Sequence, residues 1–449
     1  MSHDDNPMTS TPTPPSNRSP DSRSRGRRER RLSFAVTSPG LEAYTADELV
    51  ALGIRGPRIQ RGGVSFLAST RELYAANLWL RSATRVLLRV ATFPARSWDD
   101  LEEGIAAVDW DEWFEPNLAV RIRVTSRGSK LFHTGAVEQR VRKVLNRPFA
   151  AAESPSRPDP PPKPNDGWGN DHGDDETYDN ENDGHDGYDE FDDDVSGAGT
   201  AGLVIVRISH NDVTVSVDTS GEPLYRRGYR LDIAKAPLRE NLAAALLLAS
   251  SWDGTSALID PMCGSGTIAI EAALIARGIA PGQRRLFGFG TWPSFEPGTW
   301  ASVMAQAEQR MDAAADRPVP TIVAADRDAG AVAATKANAK RAGVAGDLEI
   351  RHASISDLQT TKNGDAPADD GWLITNPPYG GRVGAGGGDL RDLYAAIGQV
   401  ARRELPRGHL GLLVADDSLS RQTKVRFKEQ LRFSNGGINV RYLTGRLGR

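Results

Sequence analysis

The chain has a single cysteine, Cys263, so no intrachain disulfide can form, and this suits a reducing compartment. It also lacks long apolar runs. The longest, LAAALLLA at residues 242–249, falls well short of the ~20 residues a membrane span requires, so no span is expected. The first 31 residues are rich in Ser, Pro and Arg and have no apolar core of the secretory kind, which leaves the cytoplasm as the expected location. Apolar surface is scarce in two stretches, the basic tail 1–31 and the segment 153–200, and both are expected to be disordered. Within the second, residues 166–194 hold fourteen Asp and Glu and no Lys or Arg. The net charge of −4 therefore hides +10 elsewhere, of which the tail, with seven Arg against four acids, carries +3. An excess of about +7 on the structured remainder fits a polyanionic partner, and equally an ordinary mixed surface. Two His among the acids of 166–194 could ligate a metal, but a solvated, self-repelling loop is the expectation, and no metal site is assigned.

With 449 residues the chain has room for about three domains. LSFAVTS (32–38) reads as a strand, and PGLEAYTADELVALGI as a helix ended by Gly53. VRIRVTS (120–126), a helix over 133–146, and the strands GLVIVRIS and DVTVSVDTS beyond the acidic stretch complete a small α+β domain over roughly 32–220. The acidic stretch is then an insertion within it. From about residue 236 strand and helix alternate. Strands are expected at 256–260, 321–326, 348–353, 372–375 and 409–415, and helices at 237–252, 267–277, 328–343, 390–405 and near 420–431. The closing GGINVRYLTGRLG reads as a hairpin. Such alternation predicts a doubly wound parallel sheet, whose ligands bind beyond the carboxyl ends of the strands.

One such end is LIDPMCGSGTIAIEAA (258–273), where a strand stops at Asp260 and Gly264 and Gly266 precede a helix starting near Thr267. Glycines there let a ligand approach the backbone, and a helix N-terminus offers amides. No Walker lysine follows, and no third glycine or acid about 20 residues on completes a dinucleotide fingerprint, so ATP by that motif and NAD are disfavoured. Three acids remain after strands, Asp260, Asp326 and Asp357, suited to an amino group, a ribose diol and an adenine amine, or to helix capping. A second end is Asn376-Pro377-Pro378-Tyr379. Two prolines stiffen the turn, which is either a bare turn or, as expected here, a holder that presents the Asn376 amide oxygen and the Pro377 carbonyl as acceptors for one exocyclic amine, with the Tyr379 ring flat against the base that bears it.

DPMCGSG followed by NPPYG resembles the class I S-adenosylmethionine-dependent N-methyltransferases that act on exocyclic amines. LFHTGAVEQRV, SVDTSGEPLYRRGYR and APLRENLAAALL resemble the THUMP-domain RNA methyltransferases, closest to the group that makes N2-methylguanosine in 23S ribosomal RNA. The resemblance implies a THUMP and ferredoxin-like RNA-binding domain over 32–230, interrupted by the acidic insertion. A Rossmann-like class I methyltransferase domain with a seven-stranded sheet would follow over 231–449. It further implies that Asp260, Pro261, Cys263, Gly264, Ser265, Gly266 and Thr267 surround the methionine part of S-adenosylmethionine, that Asp326 holds the ribose and Asp357 faces the adenine. Asn376 to Tyr379 would hold the target amine, and Asn376 would also border the cofactor. Arg226, Arg227 and Arg230, in YRRGYR, would touch RNA phosphates or form a solvated basic linker. Ribosomal RNA or a pre-ribosomal particle is the implied partner, with no obligate protein partner evident. Some members carry a second methyltransferase domain; one methylation is expected of this chain. A DNA adenine-N6 methyltransferase and a noncatalytic ribosome-assembly factor remain as alternatives.

Overall fold

The computed structural model describes residues 30–149, 201–231, 238–359, 370–379 and 390–448. The expectations of disorder for 1–31 (apart from its last two residues) and 153–200 lie outside them, as does the glycine-rich run after Tyr379. Two seven-stranded sheets organise the rest.

The first is built from β1 (Arg31–Thr37), β2 (Arg58–Gln60), β3 (Gly63–Ala68), β4 (Ala83–Pro94), β5 (Val120–Arg127), β6 (Gly202–Ser209) and β7 (Asp212–Asp218). Its order is β2-β3-β1-β4-β7-β6-β5, antiparallel except for the β5–β6 pair. The twelve-residue β4 runs through the middle, pairing β1 through Ala83–Leu88 and β7 through Leu87–Pro94. Helices α1 (Glu42–Ala51), α2 (Thr70–Trp79), α3 (Trp98–Ala106) and α4 (Thr134–Leu145) accompany it. Two of them start where the sequence supplies a cap: Ser69 with Glu72 and Ser97 with Asp100 form reciprocal capping boxes that satisfy otherwise orphaned amides.

The second half holds α5 (Glu240–Ala249), β8 (Ala257–Asp260), α6 (Thr267–Ala276), α7 (Pro297–Ala315), β9 (Ile322–Asp326), α8 (Ala329–Ala342), β10 (Glu349–His352) and β11 (Gly371–Thr375). It closes with α9 (Leu390–Glu404), β12 (His409–Val414), α10 (Asp417–Gln422), β13 (Lys428–Asn435) and β14 (Ile438–Arg446). The order β10-β9-β8-β11-β12-β14-β13 reverses direction at β8, and β14 alone runs antiparallel to its neighbours. Alternate residues of each strand feed opposite cores. Leu258, Ile322, Ala324 and Ile374 pack under α5 and α6, whereas Ile259, Val323, Ala325 and Leu373 pack with Ile397 and Ala401 of α9. Burial on both faces is why these strands read as continuous apolar runs.

One expectation fails at the C-terminus. The helix expected near 420–431 is the short α10 followed by β13, so the closing hairpin is β13–β14, joined by Gly436 and Gly437 at φ 58° and 79°. That is the two-residue turn Asn-Gly-Gly favours, because its twist matches the strands.

The halves share a core. Phe287, Phe289 and Trp292, with Val303 and Ala307 of α7, join the apolar cluster of the first sheet. Tyr74 of α2 stacks on Phe289 at 4.2 Å and meets Trp300 edge-on at 6.1 Å. No helix among the described residues is long and apolar enough to cross a membrane. Because Phe289 is 1 % exposed at the centre of this cluster, Phe289→Ala is expected to cost about 3–5 kcal/mol, read as a lower midpoint in urea unfolding.

Candidate active site

The glycine turn after β8 is fastened from both sides. In front, Cys263 N donates to Ala325 O of β9 at 2.9 Å, and Gly264 N donates to Asp326 Oδ2 at 2.9 Å. Behind, Thr335 Oγ1 donates to Gly264 O at 2.9 Å and Asn338 Nδ2 to Ser265 O at 3.0 Å, both from α8. Gly266, at φ 83°, caps α6, and a Cβ there would lie 2.6 Å from Thr335 Cγ2. Pro261, Ser265 and Thr267 are buried around the turn. The sequence reading missed Thr335 and Asn338. Their signal was present: two polar residues three apart share one face of an otherwise alanine-rich helix.

The carboxylates differ in setting. Asp260, 1 % exposed, accepts Thr375 Oγ1 at 2.9 Å and Met262 N at 3.3 Å on Oδ1. Burial is the main cause, with the nearby Asp326 charge adding, of a carboxyl pushed up to about 7. Asp326 also accepts Asp328 N at 2.9 Å on its other oxygen. Asp357 is exposed and accepts Ser354 Oγ at 2.6 Å; among the described residues no hydrogen bond joins it to the glycine turn or to Asn376. Burial raises the Cys263 thiol, and the neighbouring Asp260 charge raises it further, so it stays protonated and packs as a small apolar residue.

The Asn-Pro-Pro-Tyr turn begins where β11 ends, beside β8. Thr375, the last residue of β11, makes the bond to Asp260, and Asn376 is the next residue along the chain. Asn376 Oδ1 is buried and has no hydrogen-bond partner among the described residues. Pro377 is buried and Pro378 exposed, its carbonyl accepting Tyr394 Oη at 3.4 Å. Tyr379 is pinned at its hydroxyl, which accepts Asn435 Nδ2 at 2.7 Å from the tip of the β13–β14 hairpin. Asn435 and Tyr394 were also missed, since each lies on a separate element, the first of them 56 residues from Tyr379.

The arginines of YRRGYR need correction. Arg227 is 3 % exposed, with Nη1 3.1 Å from Glu271 Oε2 of α6 and Nη2 donating to Arg81 O at 2.7 Å. Arg230 pairs with the buried Glu240 at 3.0 Å. Arg227 points into the junction between the halves, where the buried Glu271 carboxylate demands a cation, while Arg230 is part-buried against α5. Arg226 stays at the surface, paired with Glu222 at 2.8 Å.

A carboxyl raised above its unfolded value holds its proton in the folded state where the unfolded chain has lost it. Its contribution to stability therefore falls as pH rises from about 4 to about 7, by ~4 kcal/mol at most. Asp260→Asn is expected to flatten this slope, measured as urea stability of the ligand-free protein at pH 5 and pH 8. Gly266→Ala is expected to lower stability by about 1–3 kcal/mol through its backbone angle and the clash with Thr335, and Thr335→Ala to restore part of the loss.

Comparison with known proteins follows the same division. Residues 227–440 match the family model for the RMKL-like methyltransferase domain, 33–87 the RlmL ferredoxin-like domain and 95–156 the THUMP domain. The chain is 30 % identical over 409 residues to a putative RNA methyltransferase of Synechocystis sp., covering 90 % of this chain and 94 % of that one. It is 33 % identical over 424 residues to the ribosomal RNA large subunit methyltransferase K/L of Syntrophotalea carbinolica, covering 92 % of this chain and 53 % of the relative. It thus spans about half the length of the K/L relatives. Among solved structures, SMU.472, a putative methyltransferase complexed with SAH, superposes with a TM-score of 0.72 at 26 % identity, over 94 % of this chain and 99 % of that one. A predicted N6-adenine-specific DNA methylase from Listeria monocytogenes gives 0.72 at 28 % identity, over 92 % and 96 %. With the three domain matches in chain order and a relative alike over nearly the full length of both, the chain belongs to the THUMP-domain family of RMKL-like class I methyltransferases.

Proposed function

We propose that this chain transfers a methyl group from S-adenosylmethionine to an exocyclic base amine of RNA. The amine is the N2 of a guanosine in large-subunit ribosomal RNA, met as the RNA itself or within a pre-ribosomal particle. The observation that carries the reading is the buried Asn376 Oδ1, an acceptor without a donor among the described residues, one residue from the bond that ties β11 to Asp260. A buried acceptor left unmade is costly, and an incoming amine would satisfy it.

The residues present suit the cofactor. Asp260 and Asp326 concentrate negative charge where an ammonium or sulfonium would be welcome, and neither is paired with a cation among the described residues. Asp326 keeps lone pairs beyond its two amide bonds for ribose hydroxyls. Asp260 to Thr267 line the turn, and Asp357 is proposed to lie toward the adenine. When bound, S-adenosylmethionine supplies an electrophilic methyl on a sulfonium.

The protein's own share is positioning and electrostatics. A guanine amine is a weak nucleophile because its lone pair is delocalised into the ring. Asn376 Oδ1 and the Pro377 carbonyl accept its two N–H bonds, hold the nitrogen in line and favour the positive charge that develops on it. Pro377 and Pro378 keep both acceptors from relaxing away. Tyr379, pinned by Asn435, offers its ring face to the base. The proton released from nitrogen passes to water, and no side-chain base is assigned. Guanine N2 over adenine N6 rests on the resemblance of the sequence motifs to the N2-methylguanosine group; the names of the K/L relatives speak for large-subunit ribosomal RNA, while the Listeria neighbour's name supports DNA adenine as a second reading.

Asn376→Ala is expected to lower transfer by about 10²–10³-fold while S-adenosylhomocysteine affinity stays within about twofold, by methyl-transfer assay and calorimetry; equal activity would remove the assigned role. Ribosomal RNA from cells lacking the protein is expected to accept label that digests to N2-methylguanosine. Label recovered as N6-methyladenine in DNA would overturn the RNA reading.

A further inference from the structure

A chain of buried and part-buried polar contacts leads from the first sheet's helices to the glycine turn. Glu271 interrupts the apolar face of α6 and is 0 % exposed. Its Oε1 accepts the Tyr229 hydroxyl at 2.9 Å, and its Oε2 faces Arg227 Nη1 at 3.1 Å and Arg81 Nη1 at 3.7 Å. Arg81 belongs to the first half, just before β4, and its backbone N–H donates to Glu48 of α1 at 2.8 Å. Burial drives Arg81 down to about 10, still charged at neutral pH, and raises Tyr229, which remains a neutral donor.

From Tyr229 the contacts run onward. Its carbonyl accepts Arg341 Nε of α8 at 2.8 Å, and Arg341 Nη2 donates to Asn338 Oδ1. Asn338, 0 % exposed, then donates from Nδ2 to Ser265 O in the glycine turn at 3.0 Å. An amide has one oxygen and one NH₂ group, so Arg341 on the oxygen fixes which way round Asn338 stands. The NH₂ is thereby aimed at Ser265. Without Arg341 the amide oxygen loses this donor, and the side chain can rock away from the Ser265 carbonyl. Arg341 in turn is anchored by Tyr229, whose ring is locked against Glu271 and the arginines of the junction.

We propose that Arg341 and Asn338 are positioning residues that pass the docking of the two halves to the glycine turn, so that the turn is held in its ligand-ready shape only while the junction around Glu271 is closed. This deepens the cofactor reading given above and rests on it only for the ligand. The competing explanation is that packing of α6 on α8 holds the turn unaided.

Hydrogen exchange of the full, ligand-free chain separates the two, read on the peptide spanning 260–270, where Gly264 and Gly266 amides are bonded to Asp326 and Cys263. Arg341→Met, which keeps the stem and removes the donors, is expected to speed their exchange about tenfold, the loss of roughly one buried hydrogen bond. Arg341→Lys, which can reach one acceptor of the two, is expected to give an intermediate rate and serves if the Met variant does not fold. Ile397→Val, in the opposite core, lowers stability without touching these contacts and is expected to leave the peptide unchanged. Unchanged exchange in both Arg341 variants, or equal acceleration by Ile397→Val, would overturn the proposal. In parallel, calorimetry is expected to show S-adenosylhomocysteine binding about tenfold more weakly to Arg341→Met. Failure of the parent chain to bind it would sink the cofactor reading, while the exchange result still decides the role of Arg341.

Discussion

A single hydrogen bond, from Thr375 Oγ1 to Asp260 Oδ1, ties the end of β8, where the glycine turn starts, to the end of β11, where the Asn-Pro-Pro-Tyr turn starts. It forms because β11 lies beside β8, at the point where the strand order reverses. Parallel strands about 4.8 Å apart bring Asp260, Asp326 and Asn376 to one edge although long stretches of chain separate them. Burial there disfavours the Asp260 charge, and the Thr375 bond offsets only part of that cost. A cation placed beside Asp260 would offset that cost.

Much of this was legible in the sequence. Asp260, Gly264, Gly266, Asp326 and Asn376 could be singled out because strand ends, glycines and a double proline are local signals. What escaped was everything that depends on partners distant in the chain. The helix expected near 420–431 rested on Lys, Glu, Gln, Leu and Arg, all good helix formers, whereas the observed strand buries only Leu431 and Phe433 in alternation. The Asn435-Gly436-Gly437 turn was the stronger signal and was read only from its second half. Arg227 looked like a surface cation because nothing nearby pairs with it. Its partner Glu271 sits in TIAIEAALIA, and a lone acid inside so apolar a helix itself announces a buried cation from elsewhere.

The junction between the halves combines two kinds of contact with different consequences. The aromatic cluster of Tyr74, Phe287, Phe289 and Trp300 supplies area and therefore strength. The buried charges contribute little net stability, because desolvation consumes most of their attraction, but they tolerate few alternative arrangements. Aromatic faces could slide; Glu271 between Arg81 and Arg227 fixes where they stop.

Strand β4 carries a consequence for how such chains are assembled. The ferredoxin-like match ends at residue 87 and the THUMP match begins at 95, so the boundary between two inherited modules falls inside one twelve-residue strand. Cutting there would leave two half-sheets, each with a raw edge of unpaired amides and carbonyls. A division of the chain at the matched boundaries would therefore cut through a sheet that the two matched regions share.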